Sequence, residues 1–162
     1  MGVVEGWSEF NVAMMGATAA LAGLVIVAAS VNIREIIDAP SVAARLASAI
    51  AGLVLAIVGS AVGLIPGITA LGYGVMMIVF GVVTALFSTQ ATRRIYENHH
   101  PANRLKLAKS VVGFVAPLGY VAGGILLVAG VDAGVFWFAA GAIAAIVAAV
   151  LISWIALVEV LR

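Results

Sequence analysis

The longest polar interruption in this chain is the stretch RRIYENHHPANRLKLAK, residues Arg93 to Lys109. It contains five of the eight Lys and Arg residues, and uncharged apolar runs lie on both sides of it. The chain is 65% hydrophobic and 9% charged, whereas about 25% of the residues of a typical soluble domain are charged. The stretch is therefore interpreted as a charged loop of a membrane protein, and the apolar runs around it decide the fold.

Five apolar runs are long enough to cross a bilayer, whose hydrocarbon core of about 30 Å requires roughly 20 helical residues. None of the five contains Asp, Glu, Lys or Arg. Because lipid cannot hydrogen-bond to a peptide backbone, these runs must be helices. The sequence predicts an all-α fold, a polytopic transmembrane helix bundle in a single domain, 1–162, whose five spans cover residues 10–31, 46–65, 68–89, 110–131 and 133–158.

Basic residues fall in alternate connections between these spans. The first connection contains Arg34 and Arg45 and the third contains five cations, whereas the second and fourth contain none. Because cytoplasmic loops are enriched in Lys and Arg, we predict an N-out/C-in protein of the bacterial inner (plasma) membrane. Trp7 and Trp137 then lie at the outer headgroup level and Trp154 near the inner one, where tryptophan is enriched.

Small residues recur at helical spacing in three spans, where they allow helix backbones to approach closely. The predicted helix-packing positions are Gly16, Ala20 and Gly23 in the first span, Gly52 and Ala56 in the second, and Gly141 and Ala145 in the fifth. Interfaces inside the bundle are the preferred interpretation, and a surface for homo-oligomerisation stays open as the alternative.

Pro117 lies within the fourth span. A proline removes one helix hydrogen bond and usually bends the helix, so we predict a kink there. A fixed bend is preferred over a hinge.

The polar residues form no recognisable catalytic or metal-binding motif. The chain has no cysteine, and Asp38 and Asp132 are predicted on opposite faces of the membrane, which excludes a Ser-His-Asp arrangement. No carboxylate lies three or four residues after His99 or His100, so a solvated pair is preferred over a metal site. We expect no enzyme activity and no cofactor.

Ionisable residues inside a membrane usually mark a transport pathway, and the predicted spans contain none. At the outer end, Glu9 and the nearby Asn11 form a candidate site. An interfacial carboxylate without a binding role is the preferred interpretation of Glu9.

The segments WSEF (Trp7–Phe10) and GATAALAGLVIVAASVNI (Gly16–Ile33) resemble small actinobacterial multi-span membrane proteins of unknown function, some of them labelled modulator of FtsH protease. The resemblance is confined to the first span and its flanks. It implies a multi-span inner-membrane protein and supplies no catalytic residues.

Three function classes follow from these observations. The preferred one is a non-enzymatic accessory or scaffold subunit that associates through its helices with itself or with a larger membrane complex. The alternatives are a small channel or solute carrier, with a path lined by Ser, Thr, Tyr73 and Tyr120, and a membrane enzyme with a site at the cytoplasmic interface.

The basic loop is expected to contact anionic lipid headgroups or an acidic partner surface, since each cation near an anionic leaflet contributes about 1 kcal/mol. The alternative, that these residues only fix the membrane topology, stays open. The predicted contact residues are Arg93, Arg94, Arg104, Lys106 and Lys109. Nucleic acid is not expected, because membrane topology and anionic lipid already account for these charges.

Overall fold

The structure is a computed structural model that describes residues 2–97 and 106–160, with the side chains at positions 108, 109 and 155–160 left out. A 3₁₀ turn at Glu5–Trp7 precedes six helices: α1 Ser8–Val31, α2 Ile33–Ile37, α3 Pro40–Gly63, α4 Ala70–Glu97, α5 Lys106–Val128 and α6 Gly134–Val160. All of them except α2 are long and apolar enough to cross a membrane. The prediction of an all-α bundle with five transmembrane helices is confirmed.

Two helices extend beyond the predicted spans at the basic end of the bundle. Helix α4 continues to Glu97 and includes Arg93 and Arg94, whereas the sequence placed both in a loop. Helix α3 begins at Pro40, so that Arg45 lies inside a helix and not in a connection. Charge limits the apolar span, but arginine is a good helix former and its long side chain can reach the headgroups, so the helix itself continues.

Helix α3 is the central element of the bundle, because it contacts α1, α4 and α6 and, less extensively, α5. Helix α5 packs between α4 and α6 through the most extensive contacts of the structure. Helix α1 lies at the edge and contacts mainly α3. A minority of the residues in the apolar window of α1 are buried, against a majority in that of α3.

The core of the bundle has an aromatic part near the N-terminus and an aliphatic part near the basic end. Phe138 lies at the centre of the aromatic part, with its ring 5.5 Å from Tyr73, 5.3 Å from Tyr120 and 6.2 Å from Phe10 in edge-to-face geometry. Trp7 continues the series, 5.4 Å from Phe10. Edge-to-face pairs contribute roughly 0.5–1.5 kcal/mol beyond their buried area. The N-terminal turn is thereby fixed onto the bundle.

Candidate functional site

Four of the seven predicted helix-packing residues lie at contacts between helices. Gly52, Ala56, Gly141 and Ala145 are all buried. A Cβ atom at Gly52 would lie 3.9 Å from the Cβ of Ala145, which places both at the interface of α3 and α6. A Cβ atom at Gly141 would lie 2.8 Å from the ring of Tyr120, so this position requires glycine for the contact of α6 with α5.

The other three predicted positions, Gly16, Ala20 and Gly23, are exposed on α1. Among residues 2–97 and 106–160, nothing outside α1 would lie within 4 Å of a Cβ atom at Gly16 or Gly23. The prediction that these residues pack inside the bundle is therefore wrong. The opposite face of α1 is buried instead, through Asn11, Met14, Thr18, Ala22 and Val25.

A physical signal for the buried face of α1 was present in the sequence. Asn11 and Thr18 are separated by two helical turns and therefore share a face, and polar side chains in a membrane span point toward protein. Small residues, by contrast, permit close approach on any side of a helix. Asn11 and Thr18 therefore indicated the buried face of α1 better than its small residues did.

The closest helix contacts involve glycines of α5 near Pro117, which are not among the predicted helix-packing positions. A Cβ atom at Gly123 would lie 2.6 Å from the carbonyl oxygen of Gly134, and one at Gly119 would lie 3.0 Å from the Cα of Gly141. On the other side of α5, a Cβ atom at Gly124 would lie 2.6 Å from a carbonyl oxygen of α4. Helix α5 therefore meets both neighbours at backbone contact, as the spacing Gly119-x₃-Gly123 would have indicated.

Pro117 is accommodated by a hydrogen bond from another helix. Its missing N–H leaves the carbonyl of Gly113 without the usual helical donor, and the hydroxyl of Ser88 donates to that carbonyl at 2.6 Å. The hydroxyls of Ser88 and Ser48 lie 3.2 Å apart, and this second hydrogen bond connects α4 to α3. Tertiary contacts of this kind allow proline inside a transmembrane helix, and here they hold the region around Pro117 in place.

Three residues of the predicted basic surface, Arg93, Arg94 and Lys106, lie on helix ends. Arg104 and the side chain of Lys109 lie outside the described residues. Arg93 and Arg94 are exposed on the last turns of α4, where Arg94 forms an exposed ion pair with Glu97 at 3.0 Å. The Lys106 ammonium lies 5.9 Å from the ring centroid of Tyr96 and so connects the facing ends of α4 and α5. An exposed pair contributes little to stability, so these cations are available to other anions.

Arg45 differs from the other basic residues because its side chain is only 4% exposed. It lies three residues before Ser48 on α3, toward the basic end of the bundle. The sequence placed it in a connection because the uncharged apolar run begins at Leu46, although Pro40 and Ser41 are typical of a helix N-terminus. Its positive charge therefore belongs to the bundle itself and not to the exposed basic surface.

Among the described residues, the polar candidates for catalysis or metal binding do not form a common site. Glu9 is exposed whereas Asn11 is fully buried, so they do not form one site. Among the described residues there is no group of three or more His, Cys, Asp or Glu that could hold a metal ion. His99 and His100 lie outside those residues. A groove of about 480 Å³ between α5 and α6 has walls of Leu, Val, Ile, Ala, Gly and Trp, which offer no acid, base or nucleophile.

None of the family models, curated proteins or solved structures compared with this chain matches it. The resemblance of the first span to actinobacterial membrane proteins stays a prediction.

Proposed function

We propose that this protein is a non-enzymatic membrane subunit that acts by helix–helix association, first of all with a second copy of itself. The bacterial inner membrane is the proposed location, with the N-terminus outside and the C-terminus inside. A larger membrane complex is the alternative partner, and anionic lipid is the proposed ligand of the basic helix ends.

The observation that carries the proposal is the exposed face of α1, defined by Gly16, Ala20 and Gly23. In the part of the chain that the structure describes, nothing outside the backbone of α1 lies within 4 Å of a Cβ atom at Gly16 or Gly23. Lipid supplies no hydrophobic drive between helices, so association depends on van der Waals contact, which small residues allow at short backbone distance. The same class of residue forms the close contacts inside this bundle, at Gly123 and Gly141.

The position of α1 in the fold also supports association. An edge helix with contacts mainly to α3 leaves most of its circumference for other contacts. The face of Gly16, Ala20 and Gly23 is directly opposite the face that binds α3, so a second helix can bind it without disturbing the bundle. A pair of α1 helices crossing at this face would give an isologous interface, in which both copies use the same residues.

The mass of the purified protein in lipid nanodiscs tests the proposal. The chain has a mass of 16.4 kDa, and native mass spectrometry should give an integral multiple of it above one. A monomer in nanodiscs, with no stoichiometric protein partner retained after extraction in mild detergent, would contradict association. Selective solute flux through the same protein in liposomes would favour the carrier alternative.

The proposed orientation can be tested separately, because the chain has no native cysteine. Ala102→Cys is expected to resist a membrane-impermeant thiol reagent added to intact cells. Asp132→Cys, in the turn between α5 and α6, should react with it. The reverse pattern of labelling would invert the topology.

A further inference from the structure

Four polar side chains from four helices lie buried in the half of the bundle nearest the N-terminus. We call them the polar centre: Asn11 of α1, Ser60 of α3, Tyr73 of α4 and Tyr120 of α5. None of them is more than 1% exposed. They lie inside a membrane-spanning bundle, and the lipid around the bundle offers no hydrogen bonds to them.

Three members of the polar centre meet along one turn of α3, between Gly59 and Gly63. The hydroxyl of Tyr73 donates to the carbonyl of Gly59 at 3.2 Å. A Cβ atom at Gly59 would lie 2.7 Å from the ring of Tyr120, and one at Gly63 would lie 2.5 Å from the amide nitrogen of Asn11. The two glycines make the room into which the amide and the phenol ring reach.

Most of the hydrogen-bonding capacity of the polar centre is unused by the protein. Both polar atoms of the Asn11 amide, the hydroxyl of Ser60 and the hydroxyl of Tyr120 have no hydrogen-bond partner among the described residues. A buried polar atom without a partner loses its hydration and gains nothing in return. Four such atoms in one half of a small bundle call for a bound molecule that supplies the missing bonds.

The chemistry of the polar centre limits what that molecule can be. Its members carry no charge that could neutralise an ion. An amide and two hydroxyls both donate and accept hydrogen bonds, so the ligand must also do both. Ring atoms of Tyr120 and Phe138 and the sulfur of Met77 lie within 3.3 Å of a Cβ position at Gly59, so only a ligand of the smallest size fits beside them. We propose that the polar centre binds ordered water, held by Asn11, Ser60 and Tyr120.

The N-terminal turn covers this site at the end of the bundle. Val4 is 2% exposed, and Trp7 packs edge-on against Phe10 and Phe136 at 5.4 and 5.1 Å. The bound water is therefore separated from bulk solvent by packed side chains and exchanges slowly with it. A slowly exchanging water still generates hydroxyl radicals where it lies when the sample is irradiated.

X-ray radiolysis of the whole protein, followed by mass spectrometry, tests the proposal. Met77 is the main readout, because it is 0% exposed and its sulfur lies 3.3 Å from a Cβ position at Gly59, beside Tyr120. The matched control is Leu53→Met, a volume-conserving change at an equally buried position of the aliphatic part of the core. We expect oxidation of Met77 and Tyr120 and none of the methionine introduced at position 53.

Two results would overturn the proposal. The first is a Met77 that stays as unreactive as the control methionine in an otherwise native protein. The second is unchanged oxidation of Met77 in the double variant Asn11→Leu/Tyr120→Phe, which removes three of the four unpaired atoms. If the double variant does not fold, the comparison of Met77 with the Leu53→Met control in the folded protein decides alone.

Discussion

Helices α1 and α5 both carry glycines at helical spacing, but they use them differently. On α5, a Cβ atom at Gly123 would lie 2.6 Å from a backbone oxygen of α6. On α1, a Cβ atom at Gly16 or Gly23 would meet none of the other described elements within 4 Å. The sequence pattern indicates that a helix can be approached closely, and the fold decides whether that approach comes from inside the chain. The unused pattern on α1 is the basis of the proposed association.

The largest effect is expected for Gly123→Ala. The new methyl group would overlap the carbonyl oxygen of Gly134, and the next nearest atoms, the backbone nitrogen of Phe138 and the Cβ of Trp137, are not the ends of flexible side chains that could move away. Helices α5 and α6 must separate, at a cost of about 3 kcal/mol, the upper part of the usual range for overpacking. Reversible unfolding in detergent micelles, followed by circular dichroism, measures this loss.

Gly16→Ala is the control for that experiment, since it adds the same methyl group to an open position. It should leave stability unchanged or raise it by up to about 1 kcal/mol, because alanine favours a helix over glycine. If Gly16→Ala and Gly123→Ala destabilised the protein equally, the effect of the glycines would come from the conformation of each single helix and not from contacts between helices.

A smaller effect is expected for Ser88→Ala, which leaves the Gly113 carbonyl without its donor. The expected loss is about 1 kcal/mol, since a single hydrogen bond within a membrane protein contributes little more. In a Pro117→Ala background the restored N–H at position 117 can donate to the same carbonyl, so the loss should fall toward zero. Ser30→Ala, which removes an exposed hydroxyl bonded within its own helix, is the control.

A double-mutant cycle over Ser88 and Pro117 measures this dependence directly. Additive losses for the two substitutions would contradict the interpretation that Ser88 replaces the bond lost at the proline. In that case the 2.6 Å contact between the Ser88 hydroxyl and the Gly113 carbonyl would result from helix packing alone.

The smallest loss of stability is expected for Gly23→Leu. The side chain enters open space and leucine, like alanine, favours a helix over glycine, so the free energy of unfolding of one chain should stay unchanged or rise by up to about 1 kcal/mol. The same variant should lose self-association, which analytical ultracentrifugation in density-matched detergent measures. Ala17→Leu, an exposed position on the flank of α1, should retain it.

The five spans could be predicted because the bilayer imposes one simple condition, an apolar run of sufficient length, on every helix. The limits of the helices could not, since Arg45, Arg93 and Arg94 end the apolar runs without ending the helices. The end of an apolar run shows where a helix leaves the lipid. The helix itself continues until the backbone changes direction.

The candidate site was predicted less well, because it depends on rotation about each helix axis. Gly52 and Gly141 lie at contacts between helices. Gly16 and Gly23 also belong to a helical pattern of small residues, but they lie on the outside of the bundle. Asn11, which the sequence paired with Glu9, is directed into the bundle and belongs to the polar centre. Rotation follows from which neighbours a helix acquires, and a single sequence contains that information only in its few polar residues.

Oxidative crosslinking in native membranes tests the central claim, that α1 binds a second copy through its small-residue face, most directly. The chain has no cysteine, so a single one can be placed on that face as Ala20→Cys or on its flank as Ala17→Cys. A disulfide requires Cα atoms within about 7 Å, which a close crossing at Gly16, Ala20 and Gly23 would provide. We predict a dimer of about twice the 16.4 kDa chain mass for Ala20→Cys and monomer for Ala17→Cys. A monomer for Ala20→Cys, or equal crosslinking of the two variants, would contradict the account.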